Sequence, residues 1–452
     1  MKREFKLGSL ALAIASVFVL SACDTSINVE EDHVDDHDHD HDHDHGHVDA
    51  TGRLVLMESG STRAFVYDLE DDHTFDAIDL SFESSLYASP GQRYAIVIQR
   101  EQGEVRFIDG GFEAEEHGDH YHYHMHDPSL LSYRLSGEMP THYDYFLTRG
   151  AVFYDGTDGV ASKVDVISDH SIGHERLVGS LGLATRMHGA AEVRDDHLFT
   201  TYRSDPEASS TLPDFVEVYE LHDDEYEFVE RFEEPCPGLH GSAINQSSVV
   251  FGCTDGVLLI SADSHDHSHS HDHDHADFES MKIANADGLE GRVGTVWAHQ
   301  AHNFIIGRAG QELVLIDADH ADDHGMQVID WRDADHADST IVSVAFNYSG
   351  NRFAVLDDTG ELTIIRLRDH GHDNYPYQIQ SRFEVLEHLH DGNAAMTVSA
   401  VNHQAYITDA EHNRLVIVDL HDGEIIDTRD LDFTPGSAVW LGFTEEDDDH
   451  HH

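Results

Sequence analysis

The chain has 452 residues and a formal net charge of −63, set by 89 acidic against 26 basic side chains, and it carries 41 histidines. Such a surplus of negative charge argues against binding nucleic acid or anionic membranes through a basic surface, and it suits a protein that handles cations. A saline habitat would explain the carboxylates but not the imidazoles, and an apolar fraction of 39% still permits a large core.

Residues 1–22 read as a signal peptide. They carry a basic start (Lys2, Arg3, Lys6), an apolar stretch too short and too early for a spanning helix, and the ending Leu20-Ser21-Ala22 before Cys23. That ending resembles a bacterial lipobox, which implies cleavage before Cys23 and lipidation of its thiol. The mature protein is then expected in the bacterial cell envelope, lipid-anchored and facing the periplasm, touching membrane only through the anchor. Asp24 would, in some bacteria, retain it at the inner membrane. Residues 23–50 form a tether whose imidazoles, His33, His37, His39, His41, His43, His45 and His47, alternate with carboxylates. An alternation without fixed geometry should collect divalent metal rather than select it.

From residue 51 to 444 a unit repeats. Eight β-branched segments, from "STRAFVYDLED" to "NRLVIVDLHDGE", follow Gly, Asp or Asn turns at intervals of about 40 to 55 residues, the spacing of four-stranded blades. In "IVSVAFNYSGNRFAVLDDTGELTIIRLRD" period-2 apolar runs alternate with tight turns, which is hairpin grammar. The fold class is all-β, a β-propeller of eight blades by repeat count, with seven possible if one irregular repeat is miscounted. "GRLVLMES" begins as though its inner strand were missing, and "TPGSAVWLGF" looks like that strand, so pairing of the termini should close the ring.

His-rich insertions fall at 115–128, 264–275 and 320–336, and an acidic, histidine-bearing tail fills 445–452. Neither of the first two is an obvious strand. The first, "EEHGDHYHYHMHDP", carries tyrosines and could fold onto the domain. The second, with His265, His267, His269, His271, His273 and His275, is nearly pure polar repeat and is expected to be disordered without metal. A third scatter comprises His320, His324 and His336.

Cys236 and Cys253 flank a hairpin turning at Asn245 to Ser248; in an oxidising compartment such a pair reads as a disulfide. Aligning "HYDYFL", "HGAAEV" and "HGSAIN" places His142, His188 and His240 at the opening of the inner strand in three successive blades. Inner strands line the axis of a propeller, so three imidazoles could converge at one mouth, a donor set suited to Zn²⁺. Copper and nickel would accept the same ligands. A fourth ligand could come from the first insertion, through His117, Asp119, His120, His122, His124 or His126, if it folds over that mouth. His299 sits where Asn347 sits in the next blade and reads as a turn residue.

The motifs "HGDH", "RMHG" and "GLHGSAINQSSVVFGCTDGVLLI", within a span of about Gly52 to Phe443, resemble the periplasmic zinc metallochaperones of the AztD type. The resemblance implies a propeller that passes zinc to the solute-binding protein of an ABC importer. It also implies zinc sites at His117, His120, His188 and His240; His142 rests on the blade alignment. The anchor, the long His/Asp run and the acidic surplus depart from the plainer soluble form of that family. The leading expectation is thus an envelope zinc metallochaperone that is a monomer and not an enzyme. Metal storage or detoxification needs the same ligands without a partner. A propeller enzyme, such as a lactonase or quinoprotein-like oxidoreductase, is the further alternative, against which the chain offers no G-x-S-x-G elbow and no C-x-x-C-H haem motif.

Overall fold

Almost every apolar run of the chain becomes a β-strand, and the middle strands are apolar on both faces because each blade is covered on both sides by its neighbours. Arg53–Glu58, Tyr94–Gln99, Ser248–Cys253 and Arg352–Asp357 are buried along essentially their whole length. The computed structural model describes residues 52–117, 120–262, 278–317, 325–368, 376–387, 389 and 393–444. Cys23, the histidines from His33 to His47, Asp119, the histidines from His265 to His275, His320, His324 and the tail at 445–452 lie outside the described residues.

The strands form eight antiparallel blades, as the repeat count predicts. Six sheets correspond to one blade each, and an eight-stranded sheet is two blades joined by a single parallel pair, Ser180 with Glu225. The eight runs identified from sequence supply the third strand of each blade, from Arg63–Asp68 in blade 1 to Arg414–Asp419 in blade 8. The ring closes as expected: Pro435–Leu441 is the inner strand of blade 1 and pairs antiparallel with Arg53–Glu58. Eight hydrophobic clusters accompany the eight interfaces. One, for example, joins Val250, Val257 and Leu259 of blade 5 to Ile305, Val314 and Ile316 of blade 6; another joins Leu54 and Leu56 of blade 1 to Tyr406 and Ile417 of blade 8.

The insertion in blade 2, no obvious strand in the sequence, does form strands and folds onto the domain. Phe112–His117 and His120–Met125 pair as a two-stranded hairpin between the third and fourth strands of the blade. Its alternation is the cause: Phe112 is buried, and Tyr123 meets the Phe443 ring edge-on at 4.7 Å. Arg53 fixes its base, with Nη1 donating to the carbonyls of Gly110 and His126, both at 2.7 Å, while Nε pairs with the buried carboxylate of Asp68.

Cys236 and Cys253 form a disulfide with Cα atoms 5.0 Å apart. It ties the segment before the inner strand of blade 5 to the end of that blade's second strand. For a separation of 17 residues, replacing both cysteines by Ala is expected to lower unfolding free energy by about 3 kcal/mol. Guanidinium titration with and without reductant measures it, and the variant should show no further response to reductant.

Candidate metal centre

Strand direction alternates within each blade, so the two ends of the ring are chemically distinct. Inner strands begin at one end, here the upper face, where the second-to-third turns and the links between blades also lie. The first-to-second and third-to-fourth turns lie at the lower face.

His142, His188 and His240 meet at the upper face. His142 lies within the inner strand Pro140–Phe146, where a register shift between Pro140 and His142 turns its side chain. His188 and His240 precede the inner strands of blades 4 and 5, with their backbone N–H groups held by Thr211 O at 2.9 Å and Gly252 O at 3.0 Å. The glycine after each is required by space. A Cβ at Gly189 would lie 2.1 Å from Thr201 Oγ1, and Gly241 has φ +75° with Gly294 O 2.8 Å from where its Cβ would be.

Hydrogen bonding fixes the tautomers of two rings. His188 Nδ1 lies 2.9 Å from Asp155 Oδ2, and His240 Nδ1 lies 2.6 Å from the carbonyl of Gly294. Carboxylate and carbonyl oxygens accept, so each Nδ1 carries the proton and each Nε2 of the neutral ring presents a lone pair. Those two Nε2 atoms are 3.1 Å apart, and His142 Nε2 stands 3.5 Å from that of His188. Facing lone pairs repel unless a cation lies among them. Ligands bound at about 2.0–2.1 Å in tetrahedral array are about 3.4 Å apart, so the spacing fits a metal ion.

The electrostatics agree. Burial, reinforced by His188 and His240, pushes His142 down to about 4. Burial also lowers His240, against the hydrogen bond to Gly294. Asp155 is pulled the other way by burial, but its hydrogen bonds from His188, Thr141 and Arg100 hold the carboxyl below the usual range. Arg100 Nη2 reaches the same Oδ2 at 3.0 Å. Asp155 thus orients His188 as a carboxylate behind a metal-ligating imidazole does. A cavity of about 300 Å³ opens beside the cluster, bordered by Arg100, Asp155, Asp158, Arg186, His188 and Thr211.

The other candidates lie elsewhere. The hairpin of blade 2 is a third-to-fourth connection and therefore sits at the lower face, away from the mouth that His142, His188 and His240 share. His117 and His120 are cross-strand partners at its tip. The His122 and His124 rings are 6.5 Å apart, and His126 Nδ1 is 3.0 Å from Asp127 O; all three side chains are exposed. His299 occupies a first-to-second turn, its Nδ1 accepting from the N–H of Ala301 at 3.2 Å, in the place where Asn347 accepts from Arg352. Sequence reasoning did not find Asp155 or the Gly294 carbonyl. Both lie in turns or links of other blades, and only the assembled ring brings them to the histidines.

No protein-family model matches the chain. Among curated proteins it is similar to the zinc chaperone AztD of Citrobacter koseri, 21% identical over 370 residues that cover 81% of each protein. Two solved structures of AztD from that organism, one of them the apo form, superpose with TM-scores of 0.68 and 0.69. Both are 19% identical and cover 87% of this chain and 98% of their own. Dihydro-heme d1 dehydrogenase NirN follows with a TM-score of 0.51 at 12% identity, covering 86% of this chain and 75% of its own. The propeller fold is shared with all three, and the resemblance to AztD read from the motifs extends along most of the chain.

Two predictions follow from the geometry. Because the folded-state value of His142 lies near 4 against an ordinary 6.5, the unfolded chain binds more protons between those limits, and acid destabilises the metal-free fold. Between pH 7 and pH 4 the parent should lose about 3 kcal/mol more than His142→Gln, measured by denaturant titration at each pH. Asp155→Asn should weaken the tight phase of a chelator-competition zinc titration by about tenfold or more, through loss of orientation and basicity at His188.

Proposed function

We propose that this protein is an envelope zinc chaperone that captures Zn²⁺ and delivers it to the solute-binding protein of a zinc ABC importer. The observation that carries the reading is the convergence of His142, His188 and His240, with the Nε2 atoms of His188 and His240 3.1 Å apart and both opposing Nδ1 atoms committed to acceptors. Three neutral imidazoles suit zinc and leave the fourth tetrahedral position to water or an incoming ligand. That open position is what hand-over needs, since a partner's ligand can join before the last histidine leaves. The likeness to a zinc chaperone along 81% of the chain supports the same reading. So does the cavity beside His188, which gives a partner access at the upper face.

In this reading the ring binds and passes on its cargo and catalyses nothing. The lipobox ending at Cys23 anchors it to a membrane of the bacterial envelope, facing the periplasm, and it acts as a monomer. The His/Asp runs gather metal, and the three-histidine cluster selects it.

Transfer kinetics test the proposal. Zinc-loaded protein mixed with the importer's binding protein should pass its ion on faster than the same protein loses zinc to excess chelator. Transfer no faster than that dissociation would leave storage as the function. A His188→Ala, His240→Ala double variant should lose the tight site and the fast transfer while retaining the bulk zinc capacity of the runs.

A further inference from the structure

A second set of ligands meets at the upper face, between blades 6 and 7. Asp333 and His336 lie on the link between the strands Met326–Ile329 and Ile341–Phe346, and Glu361 opens the strand Glu361–Leu367. The segment D-A-D-H shapes the link: Asp333 Oδ1 accepts from the N–H groups of Asp335 at 2.9 Å and His336 at 2.8 Å, which folds the imidazole back over the carboxylate. His336 Nδ1 then stands 3.5 Å from Asp333 Oδ1 and 3.6 Å from Glu361 Oε2. One ligand atom from each of the three residues falls within 4.8 Å of the others.

These separations are longer than those of a hydrogen-bonded ion pair and match the spacing of ligands around one metal ion. A charge-assisted N–H···O bond closes to about 2.7–2.9 Å. Ligands of a tetrahedral ion with bonds of about 2.0–2.2 Å stand about 3.4 Å apart. His336 Nδ1 is buried without a hydrogen-bond partner, a costly state for an imidazole nitrogen that ends between two carboxylates. The neighbouring guanidinium groups point elsewhere. Arg332 bonds to Glu312 and to the carbonyls of Gln311 and Ser339, and Arg382 bonds to those of Trp331 and Arg332.

We propose that Asp333, His336 and Glu361 form a second divalent-cation site, which takes a borderline first-row ion such as Zn²⁺. The two carboxylates balance the charge of the ion, and the imidazole favours such an ion over Ca²⁺ or Mg²⁺. The site shares no residue with the three-histidine cluster and stands whether or not the protein delivers zinc to an importer.

Residue-resolved chemical modification tests this in the full chain despite its many other histidines. The His336 side chain is 39% exposed, so diethyl pyrocarbonate can reach it, and mass spectrometry of the digested protein reports its reactivity separately. Titration with Zn²⁺ alone should slow modification of His336. In Glu361→Gln the half-protecting zinc concentration should rise about tenfold or more, with protection of His188 and His240 unchanged as the check that the ring remains folded. Asp333→Asn should act in the same direction. Unaltered His336 reactivity at zinc concentrations that protect His188 would overturn the proposal, as would equal protection in Glu361→Gln. Equal protection by Mg²⁺ would overturn the class of ion.

Discussion

Ring closure is the constraint on which the rest depends. The last strand of the chain, Pro435–Leu441, pairs with Arg53–Glu58 and so completes blade 1 from both termini. The pairing leaves each blade with a neighbour on either side and places Trp440 and Leu441 among fully buried residues. It also explains why middle strands tolerate no polar face: a blade inside a closed ring has no solvent side over most of its area. Closure fixes the angular positions of the inner strands, and neighbouring strand starts are thereby held within reach of one another. His142, His188 and His240 approach because blades 3, 4 and 5 are consecutive, not because any local segment bends toward another.

Alternation of strand direction adds a second consequence. Every third-to-fourth connection opens at the lower face, including the blade 2 hairpin and the positions Ala262 and Phe278 that border the polar run of blade 5. Gly52 and Thr444, the first and last described residues of the ring, belong to that face too. The upper face instead carries the links and second-to-third turns, and both ligand clusters stand there. The first insertion, which the sequence offers as a source of a fourth ligand at the mouth, does not start from the upper face. An insertion between third and fourth strands starts from the wrong end of the ring, however short its distance in sequence from His142.

The sequence disclosed what is periodic and concealed what is assembled. Alternating apolar runs and turn residues gave the blade count, the missing inner strand of blade 1 and the aligned histidines, since each is a property of one repeat compared with the next. Asp155 was invisible for the opposite reason. "YDGTDG" reads as any turn does, and its carboxylate acquires a role only when His188, from the next blade, is set against it at 2.9 Å. Glu361 likewise lies on a different blade from the outer strand that leads into Asp333 and His336. The hairpin at 112–125 was legible only in part, because its histidines masked an alternation that Phe112 and Tyr123 anchor from one face.

Charge separates the two clusters at the upper face. A zinc ion on three neutral imidazoles keeps its full positive charge, and the carboxylate of Asp155 acts from behind His188 rather than on the ion. Arg100 is bound to that same carboxylate oxygen. An anionic fourth ligand therefore gains the attraction of an uncompensated dication in a partly buried site, where screening by water is weak. A partner that offers a carboxylate or thiolate is drawn to that ion, whereas water completes the coordination with no such gain. At Asp333, His336 and Glu361 the same ion would be neutralised by its own ligands, and an approaching anion would gain little. For the proposed delivery, this contrast assigns exchange to the three-histidine cluster and retention to the carboxylate cluster.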